Sequence, residues 1–156
     1  MVGIKNGSSY VMLSLIERQT RFKSFIRMPD ARAETTLGYL RAFFINLPAH
    51  ARKSITFDNG GEFSVFYMHK LEKLFLNFMV YYTETYSPEQ KGSDEHSNGR
   101  FRRAFPKKTD FASVTKLLIK QEVEKLNNRP MKLHRFMTPQ EMFDGELQHS
   151  PLLLAA

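Results

Sequence analysis

Two acids in this chain sit where chemistry could be done. Asp58 follows the short apolar run Ser54-Ile55-Thr56-Phe57 and precedes Asn59-Gly60-Gly61. An acid at the carboxyl end of a buried strand points into the crevice where mixed α/β folds bind ligands, and the glycines allow a sharp turn beneath it. The same triplet also suits an ordinary turn Asp that hydrogen-bonds its own backbone. Glu95 falls on a helix predicted from about Ser93, with Asn98 and Arg102 on the same stripe at i, i+3 and i+7 and with Phe101 and Phe105 available to pack beside them. A solvated helix face carrying an acid and a base has the same pattern. Together the two acids have a sharper meaning. A carboxylate at a strand end and another on a later helix can converge on Mg²⁺, which takes oxygen ligands and keeps several waters. Two such ions activate a nucleophile and stabilise the leaving oxygen in phosphodiester cleavage. Lys91, Arg102, Arg103, Lys107 and Lys108 put positive charge nearby, where a DNA backbone would need it.

The rest of the composition bounds this reading. With 156 residues the chain has room for one domain with a real core. Lys and Arg number 23 against 16 Asp and Glu, a formal charge of +7. Such a surplus favours a polyanionic partner, because each cation placed near a phosphate releases a counterion. Cysteine is absent, which excludes disulfides, thiolate zinc sites and a Cys nucleophile and fits a reducing cytoplasm. No apolar run approaches membrane-spanning length, and the first residues do not begin a signal peptide, so no membrane partner is expected. The five His residues show no ligand spacing. His96 would point about a third of the way round the helix from Glu95, as a DNA or solvent contact. The Phe-rich positions read as core.

The elements that must position these residues follow from periodicity. Tyr10 to Ile16 is almost continuously apolar, as in a strand buried on both faces. Phe22 to Met28 forms a hairpin with it across a polar turn. Ala31 to Leu47 is helical, with Leu37, Leu40, Phe44 and Leu47 on one face, and Pro48 stops it. Ser54 to Phe57 is a strand, Ser64 to Phe75 a helix with Tyr67, Leu71 and Leu74 inward, and Phe78 to Tyr82 a strand. Thr83 to Gly92 is a polar loop. Thr115 is the N-cap of a last helix through Leu118, Ile119, Glu122, Val123 and Leu126. A hairpin followed by strands alternating with helices gives an α/β fold with a mixed sheet flanked by helices. Residues 1–147 form one domain and 148–156 an apolar tail.

The string Thr56-Phe57-Asp58-Asn59-Gly60-Gly61-Glu62-Phe63 resembles the strand-turn of insertion-sequence transposases with a retroviral-integrase-type core. Tyr86 to Gly99 is similar to their loop and helix around the catalytic Glu. Arg102 to Thr109, Leu126 to Pro130 and Thr138 to Phe143 are similar to the end of that core, above all in the bacterial insertion-sequence thirty group. The likeness runs in order from about residue 4 to residue 147. It implies a ribonuclease-H-like fold and a catalytic set of two Asp and one Glu, holding two Mg²⁺ (or Mn²⁺) ions. An activated water would cleave the element end, and the freed 3′-hydroxyl would attack target DNA. Asp58 matches the second Asp and Glu95 the Glu. Asn98 and Arg102 match the polar residues that follow it. Lys91, Arg103, Lys107 and Lys108 would help to position DNA. The implied partners are element ends and target DNA, bound by a homo-oligomer in the bacterial cytoplasm, on the nucleoid.

The chain also departs from the pattern. Residues 1–16 contain no acid, and the earliest is Glu17. The first catalytic Asp, the strand that carries it and an upstream helix-turn-helix are therefore expected to be missing from the chain as given. Asp94 stands where the family usually has Asn and Glu89 where it often has Trp, and the interval from Asp58 to Glu95 is a few residues long for the family. The alternative is a catalytically silent DNA-binding or assembly module. A general ribonuclease of the same fold fits the later motifs less well. Gly60-Gly61-Glu62-Phe63 spells part of a diguanylate cyclase signature but lacks one of its two acids.

Overall fold

The structure is a computed structural model that describes residues 10–83 and 92–148, with only the helical backbone between 92 and 97. Strand β1 (Val11–Ile16) pairs antiparallel with β2 (Lys23–Met28), from Val11 opposite Met28 to Ile16 opposite Lys23. The turn between them is a small polar network. The Glu17 carboxylate accepts from the Thr20 hydroxyl at 2.6 Å and from the backbone amides of Thr20 and Gln19. Burial raises the Glu17 pKa, but these hydrogen bonds outweigh it and hold the carboxyl below its ordinary value.

Helix α1 (Ala33–Ile45) buries Leu40 and Phe44, as its spacing predicts. It ends in a turn, and Pro48 then leads a short 3₁₀ segment. Strand β3 (Ser54–Phe57) and β4 (Met79–Tyr82) pair in parallel, and α2 (Val65–Leu74) is the crossover that parallel strands require. Along α2 the inward residues are Met68 and Leu71, whereas Leu74, expected inside, is 44% exposed. The helix turns its Met68 stripe to the core, and Tyr67 is half-buried at its edge.

The strand senses are mixed, as expected. Among the described residues they form two ladders of two strands, with β1 and β3 not hydrogen-bonded to each other. One core unites them: Val11, Leu13 and Met28 from the hairpin pack with Phe57 and Val80 from the parallel pair, under Leu40, Phe44, Met68 and Leu71 of α1 and α2. The opposite face of the hairpin holds a second cluster, in which Met12 and Phe25 meet Phe101, Phe105, Phe111 and Ile119. These come from α3 (Gly92–Ala104), the segment after it, and α4 (Lys116–Asn127). Thr115 caps α4 as predicted, its hydroxyl accepting from the Leu118 amide at 3.2 Å. Leu118 itself is 43% exposed, and Ile119 carries the buried contact.

The chain does not end its helices with α4. Helix α5 (Pro139–Gln148) follows and rests on the hairpin turn, with Phe143 stacked on Phe22 at 4.1 Å. Its start is a reciprocal capping box: the Glu141 carboxylate accepts from the Thr138 amide and the Thr138 hydroxyl from the Glu141 amide. Thr138-Pro139-Gln140-Glu141 spells that box in the sequence, with Pro at the first helical position.

Candidate active site

Asp58 leaves the carboxyl end of β3, where Phe57 is buried in the first core. Several contacts fix the turn below it. Phe57 stacks on Phe63 at 4.9 Å, and the Tyr82 hydroxyl donates to the Phe63 carbonyl at 3.1 Å. The Thr83 amide donates to the Phe57 carbonyl at 2.8 Å, and the Asn59 side chain donates to the Thr83 carbonyl at 3.1 Å. One Asp58 oxygen accepts from the Gly60 amide at 3.2 Å, so the local bond expected of an ordinary turn Asp is present. It coexists with the strand-end position and leaves the residue half-buried. Glycine at position 60 leaves room for a neighbouring side chain. A Cβ there would lie 2.7 Å from the Glu62 carboxylate, which folds back over the turn.

Helix α3 carries the second half. Phe101 is 1% exposed and stacks on Phe25 at 3.9 Å with the rings nearly parallel, and Phe105 packs beside it. These rings root the helix on the hairpin. Asn98 and Arg102, one turn apart, each bury a polar atom without a hydrogen-bond partner: Asn98 Oδ1 and Arg102 Nε. Buried polar atoms cost free energy when unmatched, and ligand-binding surfaces are places where that cost is tolerated. Arg103, Lys107 and Lys108 are exposed. Lys108 adopts a left-handed backbone (φ 71°) in the turn after the helix.

The structure thus brings Asn98 and Arg102 onto one stripe and puts Lys107 and Lys108 together on an adjoining turn. The Glu95 backbone is helical, but its side chain lies outside the described residues, as do Lys91 and the side chains of Asp94 and His96. The approach of Asp58 to Glu95 lies outside them too. Among the described residues no group of three His, Cys, Asp or Glu could hold a metal ion. One further residue of this region is not legible in the sequence. Thr83, at the end of β4, buries its hydroxyl oxygen without a partner beside the turn that Asn59 ties down. Its only signal is adjacency to a strand end.

No protein-family model matches the chain. It is 32% identical, over 91% of its length, to "Transposase InsI for insertion sequence element IS30A" of Escherichia coli K12. It is 30% identical, over 80% of its length, to "Transposase for insertion sequence element IS1086" of Cupriavidus metallidurans. In both cases the chain spans 36% of the relative's length. Among solved structures, the catalytic core domain of BIV integrase superposes with a TM-score of 0.65 at 15% identity, over 89% of this chain and 95% of that one. A chain of a simian T-cell lymphotropic virus intasome gives 0.65 at 18% identity, over 91% of this chain and 49% of that one. The chain is therefore a homologue of the IS30 transposases and of other insertion-sequence transposases, built on the ribonuclease-H-like fold of the retroviral integrase catalytic core.

Proposed function

We propose that residues 1–147 are the catalytic core of a DNA transposase, which cleaves phosphodiester bonds at insertion-sequence ends and transfers the freed strands. The observation that carries this reading is Asp58, an acid held at the carboxyl end of β3 by a turn that backbone, side-chain and ring contacts immobilise. The likeness to insertion-sequence transposases supports it. Asp58 and Glu95 would hold Mg²⁺ or Mn²⁺, and their all-oxygen donor set suits those hard cations. When bound, the metal supplies charge to activate the attacking oxygen and stabilise the leaving one.

The chain's own residues do the rest. The Asn98 side-chain amide nitrogen and the Arg102 guanidinium, both donors, would face the backbone of the element end. Arg102 suits bidentate recognition of phosphate. Arg103, Lys107 and Lys108 would hold the duplex register without reading sequence, and Lys91 would add charge from the loop. DNA, both element end and target, is the partner in this reading, engaged by a multimer of the chain in the cytoplasm.

Residues 1–16 carry no acid, so this polypeptide by itself supplies two of the three carboxylates the chemistry uses. Its cleavage rate on pre-nicked element ends is expected to be near background, and robust turnover would overturn that expectation. The same observation favours a second reading, a silent DNA-binding module. Metal binding separates the two. Mn²⁺ should raise the unfolding temperature of the full chain, and Asp58→Asn should abolish the rise while leaving the metal-free temperature almost unchanged. A wild-type chain indifferent to Mn²⁺ would favour the silent module.

A further inference from the structure

Positive charge with no described acid to answer it collects where β2, α3 and the end of α4 meet. Lys23 opens β2 and is 7% exposed, with its ammonium donating to the Arg21 carbonyl at 3.0 Å. Its backbone is clamped by the buried Asn127, which accepts from the Lys23 amide at 2.9 Å and donates to the Lys23 carbonyl at 2.8 Å. Asn127 is the last residue of α4, so the clamp holds the segment leading to Arg129 against the start of β2. Helix α3 reaches the same place. Phe25 shares a strand face with Lys23 and stacks on Phe101 at 3.9 Å, which puts the neighbouring Arg100 near Lys23.

The groups feel one another. Burial, then Arg100 and Arg21, hold the Lys23 ammonium below its ordinary pKa. Burial, then Arg129 and Arg103, do the same to Arg100. Among the described residues no carboxylate forms an ion pair with Lys23, Arg100, Arg103 or Arg129. A nearly buried ammonium among like charges is costly unless an anion compensates it. Around α3, Arg100 lies roughly 160° from both Asn98 and Arg102, so this cluster is on another side of the helix from the candidate catalytic stripe.

We infer that Lys23, Arg100 and Arg129, with Arg103 at the rim, form a second phosphate-binding site that grips nucleic-acid backbone away from the Asn98–Arg102 stripe. Three donor-bearing cations, from β2, α3 and the segment that follows α4, match the several oxygens of a phosphodiester. The inference rests on the DNA reading above and adds to it a separate contact region, where a duplex would be held outside the reacting centre.

The test is a fluorescence-anisotropy titration of the full chain against a labelled mixed-sequence duplex, over a range of KCl concentrations. The double variant Arg100→Gln with Arg129→Gln should weaken binding about tenfold or more. It should also make the slope of log affinity against log salt shallower by about two, roughly one for each phosphate no longer neutralised. Lys23→Met should weaken DNA binding while keeping or raising the unfolding temperature without DNA, because it removes a nearly buried charge that no described carboxylate pairs with. A Lys with a merely structural role would lower that temperature. Wild-type binding with an unchanged slope in the double variant would overturn the second site and leave the transposase reading standing. Failure of the wild-type chain to bind DNA even at low salt would overturn both. Equal binding of polyglutamate, abolished in the same double variant, would make the patch a protein-docking surface and would also overturn the inference.

Discussion

The two ladders are treated differently by the rest of the molecule. The β1–β2 hairpin is covered on both faces: Val11 and Leu13 point into the core under α1 and α2, while Met12 and Phe25 point into the aromatic cluster under α3 and α4. The β3–β4 pair is covered on one. Phe57 and Val80 are buried, whereas Ser54, Thr56, Met79 and Tyr81 on the other face are exposed. Its outer edge is partly blunted, because the Glu72 carboxylate accepts from the Val80 amide at 2.8 Å and so occupies a donor that another strand would seek. The hairpin is thus the rigid wall, and the parallel pair is the surface that presents Asp58. The two acids of the proposed site hang from different cores, Asp58 from the first and the Glu95 helix from the second. Strand β1, which feeds both, links them.

Cutting either core should break this division in a distinguishable way. Phe101→Ala removes a ring that is 1% exposed and should cost about 3–5 kcal/mol. Amide hydrogen exchange should then accelerate first in α3 and α4. Leu40→Ala, at a position that is 0% exposed, should cost about 2–5 kcal/mol, with exchange accelerating first in α1 and α2. Equal loosening of both helix pairs in both variants would mean that the clusters act as one core. Asn127→Ala leaves the backbone amide and carbonyl of Lys23 unmatched in a buried place. It should cost about 2–3 kcal/mol in denaturant unfolding, with fraying of the end of α4 against β2.

The smallest effect is at Glu17. Its folded-state carboxyl lies below the ordinary 4.5, so the charged form stabilises the fold above that pH. The contribution disappears as the pH falls through the lowered value. Glu17→Gln should therefore be less stable than the wild type near neutrality, and the gap between their unfolding curves should close in acid. A gap constant with pH would show that the turn depends on the shape of the side chain and not on its charge.

Legibility in the sequence follows the range of the interaction. Strand β3 appears at Ser54–Phe57 as its composition predicts, and the Thr115 cap and the Leu40–Phe44 face are readable because each depends on neighbours a turn or less away. Periodicity points Leu74 inward, yet it is exposed, because an amphipathic pattern defines a stripe only to within a residue and the partner surface chooses its centre. Periodicity also stops the helices at α4. Helix α5 announces itself by its capping box instead, and the same four residues double as a family motif. In the site, Asp58, Asn98 and Arg102 are legible from spacing. Thr83 and the Lys23–Arg100–Arg129 grouping are not, since nothing in a linear string brings Arg100 near both Lys23 and Arg129.

By itself the sequence determined the order of strands and helices, the acid at a strand end, the polar stripe on α3 and the surplus of positive charge. All of these come from side-chain type and local period, which the chain carries wherever it goes. Tertiary structure alone decided which stripe of each helix turns inward, that two separate cores share one strand, and that the α3 residue Arg100 comes close to the nearly buried Lys23 of β2. Those outcomes depend on burial and on electrostatic proximity between segments far apart in the chain, and such energies exist only once the chain has closed on itself.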